Sequence, residues 1–243
     1  MVGYIEYENG RGNARLAQEN RLGGTFLVLD MGRGAQGFLS GRRAARAALQ
    51  MRKQGVRRAV FPVDFPHTAV FLRSGICPVD PMPLRKALCV PYVKAKLTAM
   101  GRSERQAVIA IAGEYMTSEL AEVTRTLALS YRYVMLSVRA GGAELAKDLR
   151  RQYGISLLLD PSNDQLNRAD ALVLFTPRSD LGQENPVLCS LYPGCSERGQ
   201  LPLRLGREYV EQVASNCSEE QLAAALYGMG ILSFRQLLDE ITC

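Results

Sequence analysis

Six short apolar runs, set apart by stretches of helical spacing, constrain this chain more than any other feature. They fall within residues 25–30, 57–61 (where Arg57 and Arg58 lead into Ala59-Val60-Phe61), 107–112, 133–138, 155–159 and 171–175. Each is too short for a buried helix and lacks the apolar–polar alternation of a half-exposed strand. Each therefore reads as a strand covered on both faces. A seventh, shorter strand is expected over 76–79. Between the runs lie helical stretches with start and stop signals. One runs from Ser40 to about Gln54 and stops at Gly55; another is short and ends at Gly75. A third spans 82–100 with Pro91 inside it, which predicts a kink or two shorter helices. Thr117 or Ser118 can cap the next, with Leu120, Val123 and Leu127 on one face, and 143–153 ends at Gly154. Alternating strands and helices predict a Rossmann-like α/β fold, a mostly parallel sheet flanked by helices.

Beyond residue 175 the pattern changes. Pro177, Pro186, Pro193 and Pro202 mark a long irregular connection, and then Ser218-Glu219-Glu220-Gln221 reads as a capping box. Helices over 219–229 and 234–240, turning near Gly230, would form a C-terminal helical hairpin with Leu222, Leu226, Leu237 and Ile241 inward. The expected organisation is a basic α/β half over 1–105, a Rossmann-like half over 106–178, and the connection with its hairpin over 179–243.

Charge is unevenly spread. Residues 1–105 carry 18 Lys and Arg against 7 Asp and Glu, a net of +11, and residues 106–243 carry 12 against 17, a net of −5; together these give the chain's +6. Eight basic residues and no acidic one lie between Asp30 and Asp64. Such asymmetry marks an anion-binding half, or a contact between the oppositely charged halves, with a protein partner or with a second copy. The tail, with Glu219, Glu220, Asp239 and Glu240, is acidic, which argues against a DNA-reading helix-turn-helix there. With no Trp and 7% aromatics, nucleic-acid stacking is not expected. No apolar run approaches a membrane span, and the polar first 24 residues lack an export signal, so the expected compartment is the cytoplasm. The six cysteines, Cys77, Cys89, Cys189, Cys195, Cys217 and Cys243, have neither the close pairing of a zinc site nor the context of a disulfide framework. They are expected as thiols, and no metal is expected.

One motif suggests chemistry. Gly32-Arg33-Gly34-Ala35-Gln36-Gly37 follows an apolar strand and precedes a helix, the setting in which glycines let a backbone approach a pyrophosphate at a helix N-terminus. Arg42 and Arg43 sit in the first helical turn, where cations oppose the macrodipole and a bound phosphate would relieve the conflict. The expected phosphate-binding residues are Gly32, Arg33, Gly34, Gly37, Arg42 and Arg43. Two features depart from dinucleotide sites. Three residues separate Gly37 from the helix, and the first acidic residue after the next strand, Asp64, lies 27 positions past Gly37. A plain glycine-rich loop with solvated arginines fits the same residues.

Other candidates are weaker. Asp30, Asp64, Asp80 and Asp160 follow strands, where α/β sheets bind ligands but where Asp also serves turns. His67, the only histidine, could act as a base oriented by Asp64. The turn Gly113-Glu114-Tyr115-Met116 has one glycine and a carboxylate and would repel phosphate. The stretch 113–175, with its late strand after Asn167-Arg168-Ala169-Asp170, resembles Rossmann-like dehydrogenase domains at the level of fold. The resemblance lends no activity, since the phosphate glycines are missing there. Two functional readings follow. One is an α/β protein binding a phosphate-bearing small molecule or nucleotide at the glycine-rich loop. The other is a non-enzymatic interaction or regulatory protein on a degenerate Rossmann-like scaffold, whose basic face (Arg42, Arg46, Lys53) meets a partner.

Overall fold

The computed structural model describes residues 1–7, 14–32, 40–213 and 216–237. Packing divides the described residues into two compact units, one built from the segment up to Pro81 together with the segment from Leu203 onward, the other from Met82–Pro202. Each carries a five-stranded sheet among the described residues.

In the first unit the order is β2-β3-β1-β4-β5, with β1 Val2–Glu6, β2 Arg15–Arg21, β3 Gly24–Asp30, β4 Arg58–Val60 and β5 Cys77–Pro78. All neighbours pair in parallel except β2 with β3, an antiparallel hairpin. Its turn residues Leu22 and Gly23 both have positive φ, 54° and 80°, as a two-residue hairpin whose twist matches its strands requires. Two of these strands depart from the sequence expectation, which began the sheet at residue 25. β2, Arg-Leu-Ala-Gln-Glu-Asn-Arg, is an edge strand with one neighbour and stays largely exposed, so nothing selects for apolar residues along it. β1 lies at the centre and is buried, yet it is brief and runs into a polar segment. Pro78 is tolerated in β5 because that strand is the opposite edge.

Helices α1 Ser40–Lys53 and α2 Thr68–Arg73 cover this sheet. Ala44, Ala47, Ala48 and Met51 of α1 pack with Ile5, Leu27, Leu29 and Phe71 in one apolar cluster. The C-terminal segment also belongs here, with α7 Arg207–Val210, α8 Glu219–Gly228 and a helical turn over 234–237. Gly230, at φ 73°, makes the turn of the hairpin, and Leu222, Leu226 and Leu237 are buried as expected. Ile241 lies outside the described residues. The expected capping box does not close. Ser218 makes no side-chain cap, and the Gln221 side chain instead accepts a hydrogen bond from the Phe61 N–H at 2.9 Å, tying α8 to the end of β4. A buried backbone donor outcompetes an exposed local one for the same oxygen.

The second unit has the order β10-β9-β6-β7-β8, with β6 Val108–Ala112, β7 Tyr133–Ser137, β8 Leu158–Leu159, β9 Ala171–Leu174 and β10 Val187–Ser190, all pairs parallel. β10 falls within the stretch expected to be irregular. Its four residues are all buried, and Pro186 just before it is permitted at the start of an edge strand. The flanking helices are α3 Met82–Ala99, α4 Ser118–Ser130, α5 Gly142–Tyr153 and α6 Asn163–Asn167. α3 is one element through Pro91 rather than two. Its face of Leu84, Leu88, Cys89, Val93 and Leu97 is buried, and that burial outweighs the one helical bond proline removes. Among the described residues no helix is long and apolar enough to cross a membrane.

Candidate functional site

The strand order of the second unit sets its most favourable place for a ligand. From β6 the chain moves outward to β7 and β8, then returns across the sheet to β9 on the other side of β6, and on to β10. The loops leaving β6 and β9 therefore diverge, and a crevice opens at their carboxyl ends. There the structure has a cleft of about 780 Å³. It is lined by Gly113 and Glu114 after β6, Ser137, Val138 and Arg139 at the end of β7, Asp160 after β8, and residues 176–180 after β9.

Backbone bonds carry the sheet past its strands into this rim. Gly113 N–H donates to Ser137 O at 3.0 Å, Arg139 N–H to Glu114 O at 3.0 Å, and Asp160 N–H to Leu136 O at 3.1 Å. Two glycines are needed here for different reasons. A Cβ on Gly113 would lie 2.5 Å from Leu120 Cδ1, so a bare Cα lets α4 close on the strand. Gly141, the residue that caps the start of α5, has φ 87°, which L side chains rarely adopt.

Arg178 organises one wall. Its Nε and Nη2 donate to the two carboxylate oxygens of Asp180 at 2.7 Å each, Nη2 also reaches Asn163 Oδ1 at 3.1 Å, and Nη1 reaches Ser137 Oγ at 3.3 Å. One planar guanidinium thereby joins the end of β7, the start of α6 and the loop after β9. The bond from Arg178 holds the Asp180 carboxyl well below the usual carboxylate range. On the opposite rim Arg139 pairs with Glu114 at 3.3 Å, both largely exposed. The start of α4 is self-satisfied, since the Thr117 hydroxyl accepts from Leu120 N–H at 3.2 Å. Asp160 is exposed and has φ 49°.

The residues expected from sequence distribute as follows. In the first unit Gly32 has φ 61° and its N–H donates to Asp30 Oδ1 at 2.8 Å, just past β3. Arg42 and Arg43 are exposed in the first turn of α1, which holds no acidic residue. Arg33, Gly34 and Gly37 lie outside the described residues. Asp64 is exposed with φ 60°, and His67 stands at the N-cap position of α2 without capping it, its ring edge-on to Phe65 at 5.8 Å. Of the strand-end carboxylates, Asp30 ends β3, Asp64 and Asp80 follow β4 and β5, and Asp160 belongs to the second unit's cleft. Among the described residues no three His, Cys, Asp or Glu side chains cluster as a metal site would require. Sequence reasoning passed over Ser137, Arg139, Arg178 and Asp180. The available signal was position alone, since each lies within six residues of the end of an apolar strand.

No protein-family model matches the sequence, and a search of curated proteins found no match. Among solved structures the chain is similar to L-tryptophan dehydrogenase from Nostoc punctiforme, at 10% identity and TM-score 0.42 over 90% of this chain and 69% of that one. It is similar to one of the subunits of dipicolinate synthase from Bacillus halodurans, at 14% identity and TM-score 0.36 over 72% of this chain and 64% of the other. The catalytic subunit of M. jannaschii aspartate transcarbamoylase aligns at 10% identity and TM-score 0.37, over 98% of this chain and 86% of that one. At this level of similarity none of these neighbours bears on what the chain binds.

Proposed function

We propose that this protein binds a small polar molecule, rich in hydrogen-bond donors, in the cleft at the carboxyl ends of β6, β7, β8 and β9. The observation that carries the reading is a cleft of about 780 Å³ at the point where the strand order reverses. Its charges narrow the class of ligand. Arg139 and Arg178 are each matched by a carboxylate of their own, Glu114 and Asp180. Asp160 is the remaining charge, so the cleft has a net charge of −1 and offers acceptors. The capped start of α4 and the neighbouring Glu114 both work against a pyrophosphate. An amine or a row of hydroxyls suits Asp160 and the hydroxyls of Thr176 and Ser179. The test is calorimetry with putrescine, sorbitol, adenosine and inorganic phosphate. A donor-rich compound should bind where phosphate does not, and Asp160→Ala should weaken it by about tenfold or more, the loss of one charge-assisted hydrogen bond. Binding untouched by Asp160→Ala, or no binding at millimolar ligand, would refute the reading.

A second reading, a phosphate-bearing ligand at residues 32–37, is supported by α1. Its first turn carries exposed Arg42 and Arg43 and no carboxylate, an arrangement that an anion stabilises. Arg33, Gly34 and Gly37 complete that site on sequence grounds. Calorimetry with ADP and inorganic phosphate at low and moderate salt tests it. Gly34→Val should abolish binding and Arg42→Glu weaken it, and a silent wild type removes the reading.

A further inference from the structure

We propose that Cys89 and Cys189 are a buried, oxidisable thiol pair whose disulfide would staple α3 to the edge strand β10. They stand 100 residues apart in sequence, and their sulfurs meet at 3.5 Å in a thiol–thiol hydrogen bond. Both residues are 0% exposed. Cys89 projects from the middle of α3, and Cys189 is the third residue of β10. A disulfide needs its sulfurs about 2.05 Å apart, so they have to close by roughly 1.5 Å. α3 has local give at that point. Pro91, two residues on, has no N–H and leaves the Ala87 carbonyl without its helical partner.

The oxidant is a hydroperoxide such as hydrogen peroxide. One sulfur, as thiolate, attacks a peroxide oxygen. The O–O bond breaks, and the leaving hydroxide takes up the thiol's proton and departs as water. The sulfur is then a sulfenic acid. The second sulfur attacks it, the S–S bond forms, the S–O bond breaks, and a second water leaves with the remaining proton. The pair gives up two electrons and two protons to the peroxide. The hydrogen bond with Cys189, and then burial, push the Cys89 thiol well above its ordinary range. Thiolate is therefore scarce, and the reaction waits on local opening of α3. Cys77 is exposed but lies on β5 in the first unit, and Cys195 donates its thiol to Ser190 O at 3.7 Å.

The experiment treats the full chain with hydrogen peroxide, blocks remaining thiols with N-ethylmaleimide in denaturant, and digests it without reductant. The expected product is a peptide cross-linked through Cys89 and Cys189, lighter by two hydrogens than its halves and split by dithiothreitol. Its formation should speed up several-fold in sub-denaturing urea, because opening limits it. Cys77→Ser should leave the yield unchanged. Recovery of Cys89 and Cys189 as alkylated thiols while Cys77 is oxidised would overturn the proposal. So would a Cys189–Cys195 cross-link in place of the expected one. The wild-type peptide map decides without depending on whether a variant folds.

Discussion

Gly113→Ala tests the packing logic of the cleft directly. Gly113 does not have positive φ, so its backbone has no need of glycine's left-handed freedom. What glycine supplies is room. The new methyl would sit 2.5 Å from Leu120 Cδ1 and 3.5 Å from Phe175 Cβ, and Leu120 is 0% exposed. Leu120 cannot swing into solvent, so α4 must lift or the leucine must leave its rotamer. Such overpacking costs roughly 1–3 kcal/mol, offset by about 0.4–1 kcal/mol from the less flexible unfolded chain. The net expectation is a loss of roughly 1–2 kcal/mol. Leu120→Ala alone should cost about 2–5 kcal/mol. In the double variant the alanine methyl enters the space the leucine vacated, so the two losses should fall short of their sum by about 1 kcal/mol or more. The chain has no Trp, so urea unfolding is best followed by helical circular dichroism, with hydrogen exchange at β6 amides reporting on the second unit. A neutral Gly113→Ala, or losses that add within about 0.5 kcal/mol, would refute the argument.

Gln221→Leu should destabilise the first unit by about 1–3 kcal/mol, because the Phe61 N–H loses its acceptor; Gln221→Glu, which keeps an oxygen, should cost less in the same urea titration. Asp180 has a lowered native pKa, so its pairing with Arg178 stabilises the fold above the unfolded carboxyl value near 3.9, and that contribution fades as pH falls below it. Carbon-detected NMR should show the Asp180 carboxyl returning to the ordinary range in Arg178→Met, and an unchanged titration would contradict the pairing. Burial pushes the Tyr7 phenol up to about 12. The neutral phenol thus favours folding fully below the unfolded value near 10, and this is lost as pH rises towards 12. Ultraviolet titration of wild type against Tyr7→Phe should reveal one phenol ionising late, and identical curves would count against it.

The strands that could be read from sequence are those whose local composition and final environment agree. Residues 26–29 and 107–112 are apolar throughout because β3 and β6 are internal strands covered on both faces. β2 escaped notice because an exposed edge has no apolar signature, and β10 because Pro186 and the surrounding prolines outweighed four buried residues. Caps show the same ambiguity. Ser162 and Gln165 form a reciprocal box at 2.8 and 3.3 Å, and Ser233 and Gln236 another at 3.0 and 3.4 Å. The similar pattern Ser218 to Gln221 does not, because a backbone donor 160 residues away takes the glutamine oxygen. A local pattern fixes which groups are able to pair, and tertiary structure chooses the pair.

The cleft was hidden for a related reason. A glycine-rich motif draws attention because it is contiguous, whereas the residues around the second unit's crevice come from four separate segments. Two of them already stood out in the sequence, Glu114 as a carboxylate unsuited to phosphate and Asp160 as a strand-end acid. Nothing local joins them to Ser137 or Arg178. What joins them is that all five strands run the same way, so every carboxyl end reaches one edge of the sheet. Parallelism was itself deducible from the strand–helix alternation. Taking the last two residues of each apolar run of the second half and the few that follow would therefore have gathered 113–114, 137–139, 160 and 176–180 without knowledge of strand order. The order adds the centre of the site, since only between β6 and β9 do the connections part and leave room for a ligand.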